Sequence, residues 1–199
     1  MHTIEPAFAD RTRHYGLMPL WVIENFFVPD ISSWDKTIDY NHKSDILSST
    51  HNRVELVPEL SNDDLDKLNV QINQIKDYVI ANATTQYQVE NLWFDYLEKL
   101  IPMKRIIFLC DKPSWKMDKH LDNRIIAGVL IINLVDNPEE TGTKFSPTFD
   151  EVTKYQAPTK KGSGIFFLNS HNMWHSIENN SDRNRYILYV SFIIPVEAI

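Results

Sequence analysis

Residues 117–123, MDKHLDN, set a histidine and an aspartate two positions apart, at His120 and Asp122. An imidazole nitrogen and a carboxylate oxygen are both ligands for divalent transition metals. On an extended chain, residues i and i+2 point to one side, so the two at a strand entry would face one cavity. Taken alone, H-x-D is also what a polar strand end looks like, because so short a motif often arises by chance. His175 is the candidate third ligand; two histidines and one carboxylate occupy one face of a metal and leave the other open. Arg185 follows ten residues later, at the start of an apolar run, where its planar fork suits bidentate pairing with a carboxylate. Two residues compete for these roles. His171 lies four before His175, the spacing of a helical zinc pair, but the Glu of H-E-x-x-H is missing and the surroundings read as strand and loop. Arg183 lies in NSDR, the composition of a solvated turn, so Arg185 is preferred.

The elements that must position these residues are mostly strands. After about residue 104 come RIIFLC, RIIAGVLIINLV, GTKF, GSGIFFLN, MWHSIEN and RYILYVSFII, rich in β-branched and aromatic residues and separated by DNPEETG, KKGSG and NNSD. Upstream, Leu65, Leu68, Ile72, Ile75 and Val79 recur at spacings of three and four, which predicts one apolar stripe on a helix. Ser61 and Asp64 resemble its capping box. A second helix is expected over 89–101, with Trp93, Leu97 and Leu100 on one face, and VIENFFVPD is expected to add an edge strand. Helices followed by closely spaced strands predict an α+β, mainly β, protein: an antiparallel sandwich or barrel with helices on one side. One domain is expected over 1–199, with a strand and supporting helices in 1–103 and the β core in 104–199.

Composition narrows the partners. The 199 residues carry a formal charge of −7, which disfavours a polyanion such as nucleic acid. Cys110 is the only cysteine, so no internal disulfide forms; the expected role is a buried thiol. The N-terminal residues lack the basic start and apolar core of a secretion signal, and the apolar runs 125–135 and 186–196 are too short to span a bilayer as helices. A cytoplasmic protein with no membrane partner is therefore expected. Trp115 and Trp174 flank the candidate site in sequence; packing is their default role, and substrate contact at a cavity mouth is the alternative. His2, His14, His42 and His51 have no partner at ligand spacing, and residues 40–53 are read as a loop over the site.

His120-x-Asp122, His175 some fifty residues on and Arg185 ten further resemble the signature of the Fe(II)/2-oxoglutarate-dependent dioxygenases. VLIINLVDNPEETGTKF is similar to the prolyl 4-hydroxylase-like branch, where a strand, an acidic turn and a G-G-x-T-x-F-like segment follow H-x-D. APTKKGSGIFFLNSHNMWHSI and WVIENFFVPDISSWD also resemble segments of that branch, so the likeness runs from about Trp21 to Pro195. It implies a double-stranded β-helix (jelly-roll, cupin-like) core with N-terminal helices packed on one sheet. It further implies Fe(II) held by His120, Asp122 and His175, with 2-oxoglutarate and O2 as cosubstrates and Arg185 on the far carboxylate of 2-oxoglutarate. The products would be succinate, CO2 and a hydroxylated peptidyl (prolyl-like) or small-molecule substrate. Thr143 matches the threonine of the G-G-x-T-x-F segment, implying a place in the 2-oxoglutarate pocket. Two features depart from the pattern: the glycine pair is replaced around Thr141-Gly142, and GVLIINL lacks the tyrosine that helps to hold the cosubstrate, leaving Asn133 as a substitute. The reading from another class is a metal-binding cupin-like barrel without oxygenase activity, an isomerase or small-molecule sensor, for which Arg185 would have no purpose. Oligomeric state is not legible in the chain.

Overall fold

The computed structural model describes residues 4–6, 18–34, 37–39, 52–86, 101–102, 106–123 and 125–193. In chain order these form β1 (Ile4–Pro6), β2 (Leu20–Ile23), β3 (Thr37–Asp39), β4 (Arg53–Leu56), α1 (Asn62–Gln86), β5 (Ile101–Pro102), β6 (Ile107–Asp111) and β7 (Lys116–His120). There follow β8 (Ile126–Asn133), a single 3-10 turn at Glu139–Thr141, β9 (Lys144–Ser146), β10 (Tyr155–Gln156), β11 (Gly164–Leu168), β12 (Trp174–Glu178) and β13 (Arg185–Ile193).

Helix α1 begins where the chain supplies a cap. The Ser61 hydroxyl accepts the Asp64 N–H at 3.1 Å and donates to the Asp64 carboxylate at 2.8 Å, while Asp63 and Asp64 face the positive end of the dipole. Of the expected stripe, Leu68, Ile72, Ile75 and Val79 are buried and Ala83 extends it; Leu65, in the first turn, is 36% exposed. The loop after β2 is tied to the helix by the Phe27 N–H, which donates to the Gln71 side-chain carbonyl at 2.6 Å.

Two sheets carry the rest. The larger has nine strands in the order β1-β2-β11-β8-β13-β6-β4-β3, with β5 also paired to β13. The smaller runs β10-β9-β12-β7. Every pairing is antiparallel. Alternation along the large sheet explains its composition. Leu130 and Ile132, Phe166 and Leu168, and Leu188, Val190 and Phe192 pack in one cluster with the α1 stripe. Val129, Ile165 and Phe167 pack in a second cluster with Phe145 and Met173 from the smaller-sheet side. Strands covered on both faces cannot alternate apolar with polar, hence the unbroken RIIAGVLIINLV. Each such side chain contributes about 1.5–3 kcal/mol on burial.

Between β8 and β11 the backbones come close: a Cβ on Gly164 would lie 2.0 Å from the Ile131 carbonyl oxygen. In the preceding turn Gly162 has φ +70°, a left-handed conformation that a side chain would strain.

Two expectations are corrected. VIENFFVPD does not form an edge strand: β2 ends at Ile23, lies between β1 and β11, and is followed by Asn25 in the left-handed region with φ 56°. His120 does not enter the apolar strand β8; it ends β7, a strand of its own in the smaller sheet, and Asp122 follows in the loop. KMDKH has no β-branched residue, and it is strand because β12 supplies its hydrogen-bonding partner. Strands from both sides of residue 103 also share one sheet, since β2 and β4 pair with β11 and β6. The second helix expected over 89–101 lies outside the described residues except for Ile101, which is in β5. His2, His14, His42, His51 and most of the loop 40–53 lie outside them too.

Candidate active site

Register brings the two histidines together. His175 of β12 is directly opposite His120 of β7, with ring centroids 4.3 Å apart, and the register shifts next to this pair, where β7 carries one extra residue between Met117 and His120. Phe145 is opposite His175 on the other side, and Phe145 and Phe167 hold the ring at centroid distances of 5.8 and 5.0 Å. Asp122 closes the group: its Oδ1 lies 3.8 Å from His120 Nε2 and 3.7 Å from His175 Nε2. The loop that carries it is pinned by Asn169, whose side-chain amide donates to the carbonyls of Asp122, Asn123 and Ile126 at 3.2, 3.2 and 2.9 Å.

This group fits a divalent metal. One ligand atom from each of His120, Asp122 and His175 lies within 4.8 Å of the others. Both rings contact a backbone carbonyl two residues back through Nδ1, His120 with Asp118 at 2.8 Å and His175 with Met173 at 2.9 Å. A carbonyl only accepts, so Nδ1 carries the proton and Nε2 presents its lone pair inward. Burial holds the His175 imidazole below its usual pKa against the upward pull of Asp122, with His120 lowering it further. A neutral imidazole is the form a metal binds. Asp122 Oδ2 is buried with no hydrogen-bond partner, a cost that a bound cation would remove.

The triad lines a cavity of about 170 Å³ with Arg53, Leu109, Met117, Ile131, Thr143, Phe167, Ile177, Arg185, Ile187 and Tyr189. That is below the roughly 300–1,000 Å³ of drug-sized ligand sites and suits a small acid. Arg185 is 2% exposed, and its Nη1 donates to Asp111 Oδ2 at 2.6 Å. Its Nη2 is 3.5 Å from Thr143 Oγ1, and its Nε has no partner. Burial lowers the Arg185 pKa, Asp111 raises it, and Arg53 lowers it again. A guanidinium remains charged through such shifts.

Thr143 and Arg185 thus share the cavity with the triad, and Asn133 does not line it. Asn133 opposes Ile187 in the ladder, on the cavity side of β8, but its amide is spent: it donates to the Pro158 and Ser163 carbonyls at 2.9 and 2.8 Å and accepts from Asn137 at 2.9 Å. Trp115 is buried outside the cavity wall, beneath the Arg53 guanidinium at 3.7 Å from its ring centroid. Trp174 points away from the neighbouring His175 and meets Phe149 edge-on at 5.2 Å. His171 lies in an exposed turn, and Arg183 is exposed with its carbonyl accepting from Asn179 and Ser181. Sequence reasoning missed Arg53, Asp111, Tyr189 and Asn169. Asp111 and Tyr189 stand at alternate positions of β6 and β13 with the cavity-lining Leu109 and Ile187, a period-2 signal that becomes readable once the register is known, and Arg53 joins that face through its pairing with Asp111.

No family model and no curated protein matches the sequence. Solved structures do match. One is a prolyl-4-hydroxylase from Pseudomonas putida, at 17% identity and TM-score 0.50 over 72% of this chain and 74% of that one. A prolyl hydroxylase from Trichoplax adhaerens, in complex with a hypoxia inducible factor peptide fragment, matches at 10% identity and TM-score 0.56 over 88% and 84%. The non-heme α-ketoglutarate-dependent epimerase of nogalamycin biosynthesis matches at 12% identity and TM-score 0.58 over 88% and 78%. At these identities the likeness is one of fold, and the fold is the expected double-stranded β-helix, mainly β with a helix packed on one sheet.

Proposed function

We propose that this protein is an Fe(II)/2-oxoglutarate-dependent oxygenase, and specifically a hydroxylase. The observation that carries the reading is a His-Asp-His ligand set and a buried arginine lining one small cavity of this fold. Nε2 of His120, Nε2 of His175 and a carboxylate oxygen of Asp122 would hold the metal. Bound there, Fe(II) supplies the O2-dependent oxidation in which 2-oxoglutarate becomes succinate and CO2 and a substrate C–H bond is hydroxylated. The chain's own part is positional. The Nδ1 contacts fix both ring planes, Asn169 fixes the Asp122 loop, and Arg185 with Thr143 offers donors to the far carboxylate of the cosubstrate. Leu109, Ile131, Phe167, Ile187 and the ring of Tyr189 wall the cavity with apolar surface, which keeps water from a reactive intermediate.

For the substrate we favour a peptidyl, prolyl-like side chain, supported by the two prolyl hydroxylases among the fold neighbours; the epimerase keeps a small molecule as the second class. Nothing in the cavity favours the non-oxygenase barrel, which would give no use to the Arg185 donors that Asp111 leaves over. Anaerobic titration with Fe(II) and 2-oxoglutarate should produce the weak visible charge-transfer band of the chelate. No band and no 2-oxoglutarate binding would make the oxygenase reading wrong. Succinate release across a panel of peptides and metabolites then separates the substrate classes.

A further inference from the structure

Arg185 does not stand alone at its end of the large sheet. Arg53 of β4 and Arg185 of β13 are both directly opposite Asp111, the last residue of β6, so the three form one row across three strands. Residues directly opposite in an antiparallel ladder project to the same face. Here that face is the cavity side, since Leu109 and Ile187, two positions along β6 and β13, also line the cavity. Asp111 is completely buried and accepts from both cations: Arg53 Nε at 2.5 Å and Nη2 at 3.1 Å, and Arg185 Nη1 at 2.6 Å.

Within this row two guanidiniums share one carboxylate, with Asp111 and Arg185 buried and the Arg53 side chain 15% exposed; the other buried carboxylate on this face is Glu55, two positions along β4 and opposite Leu109. Donors are left over. Arg185 Nε has no partner and Nη2 has only the long contact to Thr143, while Arg53 meets Asp111 through Nε and Nη2 and not through Nη1. The Trp115 ring beneath Arg53 limits where that guanidinium can move. One further carboxylate would use those donors.

We propose that Arg53 is a second cation of the subsite for the cosubstrate's far carboxylate, and that Asp111 is the positioning residue that aligns Arg53 and Arg185. The inference rests on the oxygenase reading and assigns two residues that the signature does not contain. Asp111 occupies one edge of each guanidinium, so the incoming carboxylate is received by the remaining edges of both. A 2-oxo acid that lacks the far carboxylate gains nothing from this arrangement.

The test is calorimetric titration of Mn(II)-loaded protein with 2-oxoglutarate and, separately, with 2-oxobutyrate, which has no far carboxylate. Mn(II) affinity is measured alongside as the control for the metal site. Arg53→Met should weaken 2-oxoglutarate about tenfold or more, the loss expected for a charge-assisted hydrogen bond. It should leave 2-oxobutyrate and Mn(II) within about twofold, below the worth of one such bond. The Arg53→Met/Asp111→Asn double variant removes a cation and an anion together, restoring the net charge without the second cation. If Arg53 binds the ligand, the double variant stays weak. Recovery of wild-type 2-oxoglutarate affinity would show that Arg53 only balances Asp111 and would overturn the proposal. Unchanged affinity in Arg53→Met would overturn it too, with the oxygenase reading intact. Failure of the wild-type protein to prefer 2-oxoglutarate over 2-oxobutyrate would remove both.

Discussion

The candidate metal ligands and the arginine row face one cavity from different foundations. His120 ends a five-residue strand of half-buried and exposed positions, Asp122 lies in a loop, and only His175 is buried. Arg53, Asp111 and Arg185 are instead aligned by the ladders of the large sheet, with Asp111 at 0% exposure and Arg185 at 2%. Geometry near the metal site comes from ring nitrogens held by carbonyls two residues away and from one asparagine, 47 positions on, that holds the Asp122 loop. Geometry at the arginines comes from contacts between residues 58 and 74 positions apart. Damage near the metal site should therefore show in function alone, and damage at the arginine row in stability as well as in cosubstrate affinity.

The largest effect expected is from Asp111→Ala, which leaves the buried Arg185 guanidinium and the partly exposed one of Arg53 without their shared counter-charge. Urea unfolding should show a loss of about 3–5 kcal/mol. A loss under about 1 kcal/mol, the worth of an exposed ion pair, would erase the contrast between the two regions. Asp122→Asn should abolish metal binding in an equilibrium titration, yet the metal-free variant should unfold within about 1 kcal/mol of wild type, or later. The reason is that Asp122 Oδ2 is a buried acceptor without a partner and already costs about 1–3 kcal/mol. Asn169→Leu frees the ligand loop and should weaken metal affinity about 10–100-fold, the usual range for residues that orient a ligand. The same variant should leave 2-oxobutyrate selectivity unchanged, because it does not touch the arginines.

The smallest effect concerns Cys110, which sits beside Asp111 but faces the α1 side of β6. Its thiol is pushed up to about 11, first by burial and then by the Asp111 charge, partly offset by Tyr186 and Lys112. The folded protein thus keeps a proton that the unfolded chain releases near its ordinary value of 9.0. The stabilisation is complete below that value and is lost as pH rises towards about 11. Iodoacetamide at pH 8.5 should label the urea-unfolded chain much faster than the native protein; equal rates would place the thiol outside the core.

How much of this could be read beforehand follows the same division. The order and spacing of His120, Asp122, His175 and Arg185 were legible because ligand residue types are few and their sequence order is distinctive. The α1 stripe and the apolar strands of the large sheet were legible because burial writes a period into the sequence. Strand β7 was not, because Lys-Met-Asp-Lys-His carries no strand composition and takes its conformation from β12. Arg53 and Asp111 were not, because their pairing exists only once β4, β6 and β13 are in register. Asn133 illustrates the remaining gap. Its side of the strand was readable, but the Pro158, Ser163 and Asn137 groups that consume its amide come from elsewhere in the chain.

The paired ring contacts with the Asp118 and Met173 carbonyls bear on folding as well as on binding. Both imidazoles have their electron pairs aimed before any ion arrives, and the rings are already packed against one another, with that of His175 also against Phe145 and Phe167. A metal is then a passenger in a finished scaffold, in contrast to the small zinc domains that collapse only around their ion. Chelation should strip the site while the near-ultraviolet circular dichroism and the cooperative melt persist.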